Sequence, residues 1–453
     1  MSDPEARSEV AHRLGRALLF TDHPVEAADL ARRAAAELPP GHDGGDQLAA
    51  FELMAVFFGG GEPATLRRLE PHRTLPVPET LGGKMLAAVA AQEWAYAGGP
   101  SDACAELSLQ ALAGGDLLVA DFELLGITAL VTLVLADSTA AREAMDAALS
   151  DAHRRGSLFA RSAVSLWGGF AQLRTGQLAD AERSIRTGLD EFGQWDFGDA
   201  GGLVHGAAFL SAVLRERGDL AGARRALRLS RDPGDGSEAA RYWCHSRLEL
   251  LVAEGRRVDA LPVADDAARR FGYLRHPIDT PWRSPKAVAL DGLGRREEAL
   301  ALLADELALA RAWGAPGTVA RTLRVLGMLR RERGLDELCQ AVEIAAGSPA
   351  RLEHAKALAA LGAGAWLHGA GAAEVAGEAN ATRVRIVVFD NSGRRLGERM
   401  LPKVVKTEAE WKQLLSPLAY EVTREEGTER AFSGHYQVPE QDGIYRCICC
   451  DTA

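Results

Sequence analysis

The phrase Gly176-Gln177-Leu178-Ala179-Asp180-Ala181 decides the fold, because it returns along the chain. Close copies are Gly218-Asp219-Leu220-Ala221-Gly222-Ala223, Gly255-Arg256-Arg257-Val258-Asp259-Ala260 and Gly294-Arg295-Arg296-Glu297-Glu298-Ala299. Gly334 opens a looser copy, and weaker turn signals sit at Asp22-His23-Pro24, Gly60-Gly61, Gly98-Gly99 and Asp137-Ser138. The turns begin at 22, 60, 98, 137, 176, 218, 255, 294 and 334, so the spacings are 38, 38, 39, 39, 42, 37, 39 and 40. A near-constant period of this length marks stacked helix pairs. Each unit has room for two helices of about four turns and two short loops.

The residue types explain the pattern. Gly at the turn supplies the left-handed conformation that ends the first helix. Ala after it keeps the second helix thin enough to pack closely. Around Gly176, Leu166, Phe170 and Leu173 share one face before the turn, and Ala181, Ile185 and Leu189 share one face after it. Both sets follow helical spacing. One pair cannot bury both faces, so neighbouring pairs stack into a superhelix.

Working outward, the 453 residues are 25% charged and 47% hydrophobic, with a net charge of −11. That balance excludes a general nucleic-acid footprint, which needs a basic face. Six cysteines exclude a disulfide-stapled secreted scaffold. The N-terminus lacks a basic and then apolar leader. The most apolar long run, Leu124 to Ala136, is only thirteen residues, against roughly 20 for a bilayer span. The expectation is a cytoplasmic chain with reduced thiols and no membrane partner. Gly82-Gly83-Lys84-Met85 is the nearest approach to a phosphate-binding loop, and it lacks the hydroxyl residue that would hold magnesium.

Several features have bland readings. Cys244-His245 reads as a small core thiol beside a surface or satisfied His. Trp94, Trp167, Trp243, Trp282 and Trp313 read as packing between repeats rather than a ligand cage. The Arg clusters within Arg215 to Arg228 and at Arg330-Arg331-Glu332-Arg333 read as solvated helix faces.

The first 370 residues resemble the tetratricopeptide-like sensor arm of LuxR-type, MalT-like actinobacterial regulators. The phrases that carry this are Glu297-Glu298-Ala299-Leu300-Ala301-Leu302, Ala310-Arg311-Ala312-Trp313-Gly314-Ala315-Pro316 and Gly347-Ser348-Pro349-Ala350-Arg351-Leu352-Glu353-His354-Ala355-Lys356-Ala357-Leu358. The resemblance implies a protein or small effector bound along the superhelix. The ATPase and helix-turn-helix of that family are not visible here, so no direct nucleic-acid contact is expected.

Near residue 375 the text changes. Residues 381–453 hold 11 acidic and 11 basic residues, so the whole −11 lies before them. Val384 to Phe389 reads as a strand, Asp390-Asn391-Ser392-Gly393 as a turn, and a second strand follows near Leu396. Thr407 and Glu410 form a capping box. Pro417 ends that helix and opens the next, Leu418 to Glu426.

This tail resembles the N-terminal half of methionine-R-sulfoxide reductases. The matching text is Glu410-Trp411, Leu415-Ser416-Pro417, Tyr420-Glu421-Val422-Thr423-Arg424, Gly427 to Gly434, and Gly443-Ile444-Tyr445-Arg446-Cys447-Ile448-Cys449-Cys450. The resemblance implies that a cysteine thiolate attacks the sulfoxide sulfur and is restored by a resolving thiol or thioredoxin. It also implies zinc on two Cys-x-x-Cys pairs, of which Cys447 and Cys450 match the first. Two thiolates are half of a tetrahedral site. His435 is a conceivable third ligand, though a lone loop His is more often solvated. The family's second half, with the nucleophile, is not in these residues, so no catalytic residue is carried over.

The expected fold class is mainly α: a helix-pair superhelical array of period about 38–40, then a small truncated α+β segment. The expected division is residues 1–371, a junction hairpin at 372–402, and the reductase-like segment at 403–453. Three functions remain open: a reductase-related chain that is inactive as it stands, a sensor or interaction arm, and a chimeric reading frame with no integrated function.

Overall fold

The computed structural model describes residues 4–21, 23–119, 123–193, 201–367, 383–389, 395–402, 404, 406–425 and 449. It divides into two compact units, Met1–Gly364 and Ala365–Ala453.

The first unit is the helical array. Its pairs are α1 (Pro4–Phe20) with α2 (Pro24–Ala36), and α3 (Asp43–Ala55) with the 3₁₀ run Pro63–His72. Then come α4 (Leu81–Ala97) with α5 (Ser101–Leu112), the one-turn α6 (Asp116–Val119), and α7 (Glu123–Leu135) with α8 (Ala141–Arg155). The next are α9 (Leu158–Arg174) with α10 (Leu178–Gly193) and α11 (Gly201–Glu216) with α12 (Leu220–Leu227). The last are α13 (Glu238–Ala253) with α14 (Arg257–Arg270), α15 (Arg283–Gly292) with α16 (Arg296–Trp313), α17 (Pro316–Arg330) with α18 (Leu335–Ala346), and α19 (Arg351–Leu367).

The expected turns fall between paired helices, with two differences. After Gly60 the second helix is 3₁₀, with Pro71 inside it, and a proline within a helix removes a backbone donor. Gly334 is not left-handed. A Cβ there would stand 2.0 Å from the Gly327 carbonyl oxygen, so Gly334 serves close approach instead. Side-chain oxygens start many helices: Thr80, Ser157, Asp219 and Ser237 each accept from a backbone N–H two or three residues into the helix.

The array closes on itself across a long interval. The Arg275 N–H donates to the Tyr96 carbonyl at 2.9 Å, and the Gly317 N–H donates to the Asp137 carboxylate at 2.7 Å. Gly59 faces Asp235, and Gly176 faces Leu352. These partners lie 176 to 180 residues apart, about four and a half repeats. Turns inside early pairs therefore dock on loops between later pairs, in register. Asp137 adopts a left-handed φ of 52°, which Asp tolerates better than most residues. Its carboxylate also takes Arg174 at 2.7 Å.

The second unit is small. Strand β1 (Arg383–Phe389) pairs antiparallel with β2 (Arg395–Pro402), with an irregularity between Val388 and Phe389. Helix α20 (Glu408–Leu414) begins at the Thr407–Glu410 capping box, and α21 (Pro417–Arg424) begins at Ser416 with Pro417 in its first turn. The expected turn at 390–393 lies outside the described residues.

Two neighbouring glycines on α9 test the packing. A Cβ on Gly168 meets open space, while one on Gly169 would stand 2.5 Å from Ile185 and 3.1 Å from the Ala181 carbonyl. Gly168→Ala should stabilise by up to about 1 kcal/mol. Gly169→Ala should destabilise by about 1–3 kcal/mol. Urea unfolding followed by circular dichroism reads both signs.

Candidate functional sites

Arg241 stands at the centre of the array, 2% exposed. It sits on α13 three residues after Glu238, a helical spacing that places both on one face. Its Nη1 donates to both Asp279 oxygens at 2.6 Å. Its Nη2 donates to the Tyr96 hydroxyl at 2.8 Å and to Glu238 at 3.1 Å. Tyr96 and Gln92 of α4 donate in turn to Glu238 at 2.7 and 2.9 Å. Tyr242 donates to Asp279 at 2.5 Å. Burial would raise the Asp279 carboxyl, but Arg241 and the Tyr242 hydroxyl outweigh it, and the group lies below its ordinary range. Glu238 goes the other way: burial raises it despite Arg241 and Tyr96.

Two cavities lie on the inner face, which the first helices of the pairs line. The first is about 90 Å³ and largely aromatic, with Phe57, Phe159, Trp167 and Phe192 beside Gln92, His205 and Glu238. The second is about 140 Å³ and charged. In it Arg215 spans Glu216 and Glu249 at 3.0 and 3.2 Å, and Arg324 holds Glu353 at 3.0 Å. Lys356 reaches Glu216 at 2.7 Å. Trp167, Phe170, Phe209 and Tyr242 stack between the two, with centroids 4.8–5.7 Å apart. Trp167 therefore packs and also lines a cavity.

Two expectations need correction. Arg215 is not on a solvated face: its side chain is 15% exposed and held in ion pairs along the charged cavity. His245 is neither a surface nor a satisfied His: its Nδ1 is buried without a partner. Cys244 is a core thiol as expected, and burial pushes it up to about 12, as it does Cys104. Neither is a nucleophile at neutral pH. Trp243 and Trp282 likewise line pockets. Trp313 is fully buried against His276, and Arg283 lies over Trp282 at 4.5 Å.

In the C-terminal unit, Trp411, Leu415 and Tyr420 form a small buried cluster with Ala419 and Cys449 against it. Arg424 and Lys412 lie over Trp411 and Tyr420 at 5.1 Å. Cys447, Cys450 and His435 lie outside the described residues. Among the described residues no group of three His, Cys, Asp or Glu side chains could hold a metal. No helix among the described residues is long and apolar enough to cross a membrane.

The buried histidines predict a pH dependence. Burial pulls His12 and His245 down to about 4. The unfolded chain takes these protons near pH 6.5, whereas the folded chain resists until about pH 4. Stability is then full above pH 6.5 and falls as the pH drops toward 4, by a few kcal/mol in all. Burial would raise Glu249, but Arg215, His245 and Lys356 bring it to about 2. Its share is lost only below about pH 4.5. Thermal melts between pH 7.5 and 4 should show the fall, and His245→Asn should reduce it by the share of that ring while His12 keeps the rest.

A family model described as the SelR domain matches residues 415–453. Peptide methionine sulfoxide reductase MsrB of Chromohalobacter salexigens is 59% identical over 51 residues, 11% of this chain and 38% of that protein. The MsrB of Pseudomonas syringae pv. syringae is 57% identical over 51 residues, 11% of this chain and 39% of that protein. Chloroplastic reductase B1 of Arabidopsis thaliana is 52% identical over 46 residues, covering 10% and 23%. The chain spans about two fifths or less of these curated relatives. Among solved structures, the APC/C hetero-tetramer Cut9-Hcn1 aligns at TM-score 0.33 and 13% identity, over 78% of this chain and 72% of that one. The P58(IPK) TPR domain aligns at TM-score 0.20 and 15% identity, over 79% and 98%. Neither structural alignment is close enough to carry an argument about the array. The C-terminal segment is similar to the SelR domain of MsrB-type methionine sulfoxide reductases.

Proposed function

We propose that residues 403–453 form the N-terminal portion of a methionine-R-sulfoxide reductase domain, attached through the 372–402 junction to the array of 1–371. The observation that carries this is the 59% identity over 51 residues. The capped helices and the Trp411–Leu415–Tyr420 cluster support it, since the matched residues make a local hydrophobic nucleus. In this chemistry a thiolate attacks the sulfoxide sulfur. Methionine leaves, the cysteine becomes a sulfenic acid, and a second thiol reduces it with loss of water. Thioredoxin and an oxidised-methionine protein are the partners of that complete reaction. Cys447 and Cys450 are its half zinc site. No residue among the 453 is assigned as nucleophile, so this polypeptide by itself is the inactive portion.

A second reading concerns the array. Its aromatic cavity supports the binding of a small apolar effector on the inner face, in keeping with the resemblance to regulator sensor arms. The cavity is lined by residues from seven α-helices of the array and the 3₁₀ turn at Val56–Phe58, which favours a small molecule over an extended protein segment.

Both readings are testable. With dithiothreitol and dabsylated methionine-R-sulfoxide, the 453-residue chain should give no turnover. Adding a fragment that carries the C-terminal part of an MsrB relative should give some. Cysteine-dependent turnover by the chain alone overturns its inactivity, and no turnover in the mixture overturns the assignment. For the array, 1-aminoanthracene should bind one to one and be excluded by Ala163→Trp. Absent saturation, or unchanged binding in the variant, overturns the effector reading.

A further inference from the structure

The charged cavity holds one cation that its neighbours do not neutralise. Arg174 has Asp137, and Arg215, Arg324 and Lys356 share Glu216, Glu249 and Glu353. Asp279 belongs to Arg241. Arg321 of α17 forms no ion pair among the described residues. Its Nη2 donates to the Pro277 carbonyl, and its Nε is buried without a partner. The nearest carboxylates, Glu306, Glu353 and Glu249, act only from a distance. Glu306 is itself committed to Ser284 and Thr322. A guanidinium has five N–H donors in a fixed fork, and one of them is engaged here.

A second incompletely satisfied residue stands at the same wall. His245 lines this cavity and the neighbouring pocket beside Trp282, and its Nδ1 has no hydrogen-bond partner. A desolvated cation with idle donors is costly unless an anion meets it. The chain as a whole carries −11, so diffuse attraction does not bring anions here. A local site must do so. At about 140 Å³, the space admits several waters. That fits a head group and not a polymer.

We propose that this cavity binds the carboxylate or phosphate group of a small metabolite, with the Arg321 guanidinium as anchor and the His245 ring as second contact. A planar fork matches both oxyanions in bidentate fashion. The site is separate from the aromatic cavity, so either can be occupied or fail alone.

The test is calorimetric titration of the full chain with inorganic phosphate and, separately, with succinate. At least one should bind saturably, one per chain. Arg321→Gln should weaken that binding about tenfold or more. Arg321→Lys should retain part of it. Arg224→Gln, at an exposed pair with Glu254, should leave it unchanged. If Arg321→Gln does not fold by circular dichroism, His245→Phe carries the test, with an expected loss of severalfold. The proposal fails if neither anion binds with a Kd below about 10 mM. It also fails if binding survives in the folded Arg321 variant, or if Arg224→Gln weakens it equally. Aminoanthracene binding in the same samples reports on the effector reading separately.

Discussion

The array depends on one buried guanidinium. Arg241 joins α13 to the loop around Asp279 and to Tyr96 of α4, whose residues are more than 140 positions away. Those links act with the Arg275–Tyr96 and Gly317–Asp137 bonds, which hold early and late repeats at the same register. Replacing a whole buried ion pair by apolar groups is often harmless, whereas removing one partner strands the other and costs about 3–5 kcal/mol. The value of Arg241 therefore lies in specificity as much as in stability. Hydrophobic stacking alone would hold pair to pair, but it would not choose which distant loop an early turn docks on.

That closure shapes the inner face. A loosely wound superhelix offers an open groove, while this one is filled at its middle by Trp167, Phe170, Phe209 and Tyr242. Beside it lie two pockets of opposite chemistry, one apolar and one charged. The proposed small-molecule readings rest on this filled interior. The pairing of Asp137 with both Arg174 and the Gly317 N–H shows the same economy, since one carboxylate ties two repeats and holds its own turn.

Much of the architecture was legible from local chemistry. The Gly-centred turns, the Ala-rich second helices and the capping box at Thr407 all act within a few residues, where propensity and capping decide. The departures were local too: Pro71 lies inside a 3₁₀ run, and Gly334 answered to Gly327 rather than to its own φ. The candidate sites were mostly hidden. Arg215 and Arg321 look like any surface arginine in text rich in them. One signal was available: Glu238 and Arg241 place two charges on a helix face beside Tyr242 and Cys244, and Asp279 sits in an unusually Pro-rich loop, His276 to Trp282.

By itself the sequence determined the period of the array, the change of character near residue 375 and the similarity of the tail to the SelR domain. Each is carried by neighbouring residues, where spacing and type suffice. Only the tertiary structure decided which charges are buried, that turns meet loops 176 to 180 residues later, and that Arg321 and His245 share a cavity. Those facts depend on the winding of the superhelix. Winding accumulates from small rotations between repeats, and no single repeat records it.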